Sequence, residues 1–387
     1  MKYLISGYYG EGNAGDEAIL AGILQEIGRR DEGAEFRVLS FDPDDTRRRH
    51  AVEALPTTLR DPRTLGMAVA WADLVISGGG SMLHEADFAL YGRHFLFRAG
   101  KLRPIPYFLA IVGVARTMGK PVMWYAQGLG PLHTKTARLA VRVLGSASQV
   151  VAWRDREAAA LAADVGVRSG VQMVVPDPAY ALAPCSRERA REVLARGAVP
   201  GDRPLIAVCP RPWLDRLGYR KQLVEALARV ADGLGHYIVF LPFQERTDGP
   251  LCRELAANPR LAGRSFDAHN VDDPSLLAGL LREADVAVTM RLHSGILAAA
   301  AGTPAAAIAY DPKVSSFARQ TGQGEYVVTA DELETEAGGR RLESLLRESV
   351  THNALRRRRL ERAVAPLREA AGRTAQLAVD LARAGRL

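Results

Sequence analysis

The segment Thr289-Met-Arg-Leu-His-Ser-Gly-Ile-Leu-Ala-Ala-Ala-Ala-Gly-Thr-Pro304 sets Arg291 and His293 two residues apart, between an apolar run and an alanine-rich helical pattern. An arginine grips carboxylate or phosphate through paired N–H donors. A histidine, with an ordinary pKa of about 6.5, gives or takes a proton near neutral pH. Together, at the mouth of a helix, they suit an anionic ligand. Arg211, held between Pro210 and Pro212, and Lys313, in Tyr310-Asp-Pro-Lys313, add cations after two further apolar runs. Any one of them serves equally well as a structural ion pair. As a set with Leu292 and Ser294, they read as a subsite for a small, multiply charged anion.

The first half of the chain carries acids and glycines instead. In Gly7-Tyr-Tyr-Gly-Glu-Gly-Asn-Ala-Gly-Asp-Glu17, Gly10, Gly12 and Gly15 satisfy the GxGxxG spacing, and Asp42 stands where a ribose-binding acid would. Glu11, Asp16 and Glu17 would repel a pyrophosphate at that helix start, so hydroxyl groups are the better match. Compensation of the helix dipole explains Asp16 and Glu17 as simply. Ser77-Gly-Gly-Gly-Ser81 is expected to be a strand-to-helix turn whose glycines, Gly78, Gly79 and Gly80, admit a ligand to the backbone. Arg154, in Trp153-Arg-Asp-Arg156, stands at another strand end.

These residues need strands to launch them. Apolar, β-rich runs recur at 2–6, 36–40, 73–77, 121–126, 149–153 and 172–175, then at 205–209, 236–242, 285–289, 305–310 and 325–328, with helical patterns between. Such alternation implies right-handed βαβ units and parallel sheets, with ligands bound beyond the carboxyl ends of the strands. Met118-Gly-Lys-Pro-Val122 and Ala301-Gly-Thr-Pro-Ala305 follow similar strand and helix patterns, and in each Gly-x-Pro ends a helix and launches a strand. The fold class is therefore α/β, with two Rossmann-like parallel-sheet domains and C-terminal helices. The expected limits are 1–180 for the first domain, 181–340 for the second and 341–387 for a helical tail. In that tail Pro366 should kink or split the helix, and the arginines at 356–359 read as a solvated face or a patch for anionic lipid headgroups.

A net charge of +7 favours an anionic partner, but 51 basic residues are interspersed with 44 acidic ones, unlike the basic stripe of a nucleic-acid binder. Cys185, Cys209 and Cys252 show no disulfide or metal-ligand spacing, and no metal site is expected. No apolar run suggests a signal peptide or a membrane span, so a cytoplasmic protein is expected.

The glycine-rich loop with Asn13 and Gly15-Asp-Glu17, the SGGGS run, Trp153-Arg-Asp155, Pro210-Arg-Pro212 and above all RLHSGILAAAAGTP with Tyr310-Asp-Pro-Lys-Val314 resemble polysaccharide pyruvyl transferases, most closely the CsaB type. The resemblance covers about residues 1–330. It implies a fold similar to GT-B glycosyltransferases, two domains facing a cleft, and no cofactor. It implies phosphoenolpyruvate as donor and a lipid-linked or polymeric glycan as acceptor, often N-acetylmannosamine, made into a cyclic ketal that serves S-layer anchoring. It also places Arg211, Arg291 and His293 on donor-binding and catalytic positions. It implies that His293 protonates the donor, that Asp16, oriented by Asn13, binds or deprotonates the acceptor hydroxyl, and that residues 1–180 form the acceptor side and 181–340 the donor side. Two other readings stay open: a GT-B enzyme using a nucleotide sugar, and a dinucleotide-dependent oxidoreductase or binding module built on the GxGxxG.

Overall fold

A computed structural model describes the chain except for residues 58–60, 86–96, 99–100, 103, 215–216 and 386–387. The chain divides into two compact units: Met1–Glu11, Ile19–Ala181 and Arg368–Leu387 form unit 1, and Gly12–Ala18 with Leu182–Leu367 form unit 2.

The strands of unit 1 are β1 (Lys2–Ser6), β2 (Glu35–Ser40), β3 (Glu53–Pro56), β4 (Leu74–Leu83), a short hairpin of β5 (Phe97–Arg98) and β6 (Lys101–Leu102), β7 (Val122–Leu129), β8 (Val150–Trp153) and β9 (Val171–Val174). Seven of them form one sheet in the order β3-β2-β1-β4-β7-β8-β9, every pairing parallel. The period-two geometry of a strand sends alternate side chains to opposite faces. Leu4, Val75, Trp124 and Val151 accordingly pack on one face, and Tyr3, Ile5, Ile76, Met123 and Tyr125 on the other. Helix Ala14–Gly28 covers that second face through Ile19, Ile23 and Ile27. The chain's end covers it too, through Ala375, Ala378, Val379 and Ala382, spaced as one helical stripe.

Unit 2 contains β10 (Leu205–Cys209), β11 (Tyr237–Phe240), β12 (Ser265–Asp267), β13 (Val286–Thr289), β14 (Ala305–Ala309) and β15 (Val327–Thr329), in the order β12-β11-β10-β13-β14-β15. All pairings are again parallel. Ile206, Val208, Ile238, Phe240, Val286 and Val288 are buried to 1% exposure or less, each contributing about 1.5–3 kcal/mol from burial. The strand order reverses between β10 and β13, and the crevice at the carboxyl end of such a switch point is where a doubly wound sheet takes its ligand.

Three expectations change. Ser77-Gly-Gly-Gly-Ser81 is no turn: β4 continues through it to Leu83, paired with β7 up to a bulge after Gly80. A Cβ on Gly78 would stand 2.4 Å from the Tyr9 hydroxyl, and one on Gly79 3.0 Å from Ile19 Cγ2, so these glycines admit neighbouring side chains of unit 1. The helix expected beyond this run falls on 86–96, outside the described residues. Of the kink or split expected at Pro366, the split does not occur, and the helix runs for 32 residues from Asn353 to Ala384. A proline forfeits only one N–H and its own turn, and the flanking turns carry the helix across. Finally, the arginine run is only half solvated. Arg358 and Arg359 are exposed, whereas Arg356 is buried and donates to the Ala305 carbonyl at 2.9 Å. Arg357 donates to the Gly302 and Ala284 carbonyls at 2.8 and 2.6 Å.

Candidate active site

The site builds on the carboxyl edge of unit 2's sheet. β10 and β13 are paired with Cys209 opposite Thr289, and the Met290 N–H closes on the Cys209 carbonyl, so the two strands release Arg211 and Arg291 at the same end. Arg291 has extended backbone angles and caps helix Leu292–Ala300. Leu292 and His293 are its first two residues, both half-buried. Ser294 is wholly buried and donates its hydroxyl to the Arg291 carbonyl at 2.7 Å, so it holds the turn that carries Arg291 and His293.

Arg211 leans on aromatic rings. Its guanidinium carbon lies 4.6 Å from the Tyr310 ring centroid and 5.9 Å from that of Trp213, and Nη1 donates to the Tyr310 hydroxyl at 2.7 Å. The Tyr219 hydroxyl fixes the backbone by donating to the Arg211 carbonyl at 2.6 Å. Among the described residues no carboxylate pairs with Arg211, and its buried Nε makes no hydrogen bond. Three of the four N–H donors on Nη1 and Nη2 thus stay uncommitted on a cation stiffened by two rings, which is an arrangement for binding an anion.

Arg291 differs, because its charge is met inside the protein. Nε and Nη2 each lie 2.7 Å from an oxygen of Asp248, a residue with no exposed surface. Nη2 also reaches Thr247 Oγ1 at 3.0 Å and Gln244 Oε1 at 3.2 Å. Lys313 has a looser tie: its ammonium lies 3.4 Å from Asp311, both partly in solvent, a pairing worth about 0–1 kcal/mol that a ligand can displace.

The segment Gly12–Ala18 completes unit 2's edge. Ala14 donates its N–H to the Phe243 carbonyl, just beyond β11, at 2.9 Å. A Cβ on Gly15 would stand 2.3 Å from His293 Nδ1, so the glycine exists to seat the imidazole, whose Nε2 is buried. Asn13 accepts from the Gly15 N–H at 3.0 Å and donates to Asp16 Oδ2 at 2.7 Å, which turns the carboxylate back toward the start of the helix. With the N–H groups of Ala14 and Gly15 taken, the first helical turn is not an open phosphate cradle. Asp42 is likewise spent, capping helix Pro43–His50 through the Asp45 N–H.

Asn13, Asp16, Arg211, Arg291, Leu292, His293, Ser294 and Lys313 therefore fall in unit 2. A family comparison decides what the edge belongs to: residues 13–312 match polysaccharide pyruvyl transferase. The chain belongs to the polysaccharide pyruvyl transferase family. No curated protein matches it in a sequence search. Among solved structures it resembles the Escherichia coli ADP-heptose lipopolysaccharide heptosyltransferase II at 15% identity and TM-score 0.55, covering 92% of this chain and 100% of that one. It also resembles a glycosyltransferase of Rickettsia africae at 11% identity and TM-score 0.61, covering 98% of each chain, and the Staphylococcus aureus MnaA–UDP co-structure at 12% and 0.59, covering 96% and 91%. These likenesses show the fold, two parallel-sheet α/β domains of the kind found in GT-B enzymes.

In this pyruvyl transferase family member, Gly78, Gly79, Gly80 and Arg154 lie in unit 1. Arg154 Nη2 donates to Ser81 Oγ at 2.9 Å, and a Cβ on Gly128 would crowd it at 3.0 Å, so it lies across the carboxyl ends of β4 and β7. Asp248, Gln244, Thr247, Trp213 and Tyr310 carry the cations yet had no sequence-level assignment. Asp248 contacts a residue 43 positions away, a pairing that no periodicity signals. Among the described residues no cluster of histidine, cysteine, aspartate or glutamate could hold a metal.

Proposed function

We propose that the protein transfers pyruvate from phosphoenolpyruvate to a sugar of a cell-wall glycan, as in the CsaB type, with N-acetylmannosamine as the favoured acceptor. Arg211 and Lys313 bind the phosphate and carboxylate, and Arg291 directs its remaining donors at the same anion. His293, protonated, delivers its proton to C3 of the enol, so that C2 becomes an oxocarbenium centre. One sugar hydroxyl adds to C2, and Asp16 is the candidate to take its proton. A second hydroxyl then replaces phosphate at C2, its proton leaving with the phosphate, and the cyclic ketal closes. The C2–O bond to phosphate breaks, two C2–O bonds to sugar form, and inorganic phosphate leaves with its charge met by Arg211 and Lys313.

One observation carries this reading: a general-acid candidate, His293, lies against the loop of Asn13 and Asp16 at the switch-point edge of a family member. Sugar hydroxyls suit the acids of that loop better than phosphate does, and the cations of β10 and β13 suit the donor. The reaction belongs on the cytoplasmic face, with a lipid-linked acceptor brought from the bilayer. No helix among the described residues is long and apolar enough to cross a membrane. The test is to incubate the protein with phosphoenolpyruvate and candidate glycans, following phosphate release and product mass. The expected product gains one pyruvate less one water, one phosphate appearing per ketal. Phosphate release that tracks a nucleotide sugar instead would overturn the reading.

A further inference from the structure

Asp248 is buried without any exposed surface, and nothing in the proposed chemistry uses it. Its two oxygens take four hydrogen bonds. Oδ2 accepts from the Gln244 N–H at 3.1 Å and from Arg291 Nε at 2.7 Å, and Oδ1 accepts from the Thr247 hydroxyl at 3.0 Å and from Arg291 Nη2 at 2.7 Å. The carboxylate therefore closes the first turn of helix Glu245–Ala256 while gripping a cation released by β13.

The donor count on Arg291 shows what the grip leaves. Of five N–H groups, the one on Nε and both on Nη2 are committed to Asp248, Thr247 and Gln244. Nη1 has no partner among the described residues. A guanidinium tethered along one edge cannot swing, and its charge is largely cancelled by Asp248. It acts by aimed hydrogen bonds, while the net positive field at this edge comes from Arg211 and Lys313.

Resting on the function proposed above, we infer that Asp248, with Thr247 and Gln244, is a positioning group: it fixes the Arg291 guanidinium so that the two Nη1 donors meet a ligand oxyanion in one orientation. A purely structural ion pair would alter stability alone. A positioning group alters how the bound donor reacts, because a misplaced partner of the reacting atoms lowers the rate even where binding survives.

The test uses the full chain, with kinetics in phosphoenolpyruvate and melting temperatures for every variant. Asp248→Asn keeps the shape, removes the charge and leaves one good acceptor for two donors. Its kcat/KM is expected to fall about 10- to 100-fold, most of it in kcat. Arg291→Lys, which cannot be gripped along one edge, should fall comparably, and the double variant little further. Thr247→Val spares the buried charge; it should lower kcat several-fold while lowering the melting temperature less than Asp248→Asn does, and it carries the test if Asp248→Asn does not fold. Wild-type rates for the folded variants, or losses that multiply in the double variant, would overturn the inference while leaving the wild-type reaction intact. A wild type that releases no phosphate from phosphoenolpyruvate defeats the functional reading instead; slow exchange of the Arg291 Nε–H, lost in Asp248→Asn, then decides whether Asp248 holds the guanidinium.

Discussion

Gly15 stands in an ordinary helical turn, where alanine would normally stabilise the helix by about 1 kcal/mol. Its neighbour reverses that expectation, because an added Cβ would overlap the His293 ring at 2.3–2.9 Å. Gly15→Ala should displace the imidazole and reduce kcat about 10- to 100-fold, a cost typical of moving a reacting group by an ångström. Steady-state kinetics beside a thermal melt check this; a variant that is both more stable and fully active would show that the ring lies elsewhere. The sequence made the residue types at this site legible, since RLHS and PRP announce cations at strand ends and Asn13 predicts a partner for Asp16. It did not reveal which cations are already paired. Arg211 and Arg291 look alike as letters, yet one rests on Tyr310 with donors to spare and the other is bound to Asp248. That difference arises from contacts made between separate elements after folding.

Helices Pro274–Glu283 and Leu292–Ala300 lead into β13 and β14, and their carboxyl ends, at the edge of the sheet opposite Arg291 and His293, are both finished by one side chain. Arg357 donates to the Ala284 and Gly302 carbonyls and is itself steadied by Asn353 Oδ1 at 2.8 Å. It satisfies carbonyls that a helix leaves open and sets a cation at two negative dipole ends. Burial lowers the Arg357 pKa from its ordinary value, and that of Arg356 to about 10, yet both still carry their charge at neutral pH. Arg357→Met should destabilise the protein by about 2–3 kcal/mol in urea unfolding, whereas Arg358→Met, at an exposed position, should change it by no more than about 0.5 kcal/mol. Equal effects would return the arginine run to a solvated face. Sequence reading could not separate the two, because the partners of Arg357 are carbonyls 55 and 73 residues away. The central strands were readable as unbroken apolar runs, as parallel strands buried on both faces must be. The edge strands β3, Glu-Ala-Leu-Pro, and β12, Ser-Phe-Asp, were not, being short and only partly apolar. In β4 the glycines that usually mark a turn continue the strand, because Tyr9 and Ile19 occupy the space where side chains would stand.

Over the whole molecule, both sheets follow the same doubly wound order, and the Gly-x-Pro echo holds: Gly119 and Gly302 have φ of 72° and 76° before β7 and β14. The pattern of alternating strands and helices made this duplication legible. It could not show that the chain's last segment returns to unit 1, because an alanine-rich stripe such as Ala375, Ala378, Val379 and Ala382 does not specify the sheet it covers. The division of labour is chemical as well as architectural, with an edge of cations served by unit 2's own strands and an acidic loop seated on the histidine. The claim that most depends on this arrangement is that His293 protonates the donor. Its direct measurement is ketal formation from phosphoenolpyruvate, at saturating donor and glycan, by the wild type and by folded His293→Gln. The account expects the variant's kcat to fall about 100- to 10,000-fold with donor affinity nearly unchanged, whereas ketal formation by His293→Gln at the wild-type rate would contradict it.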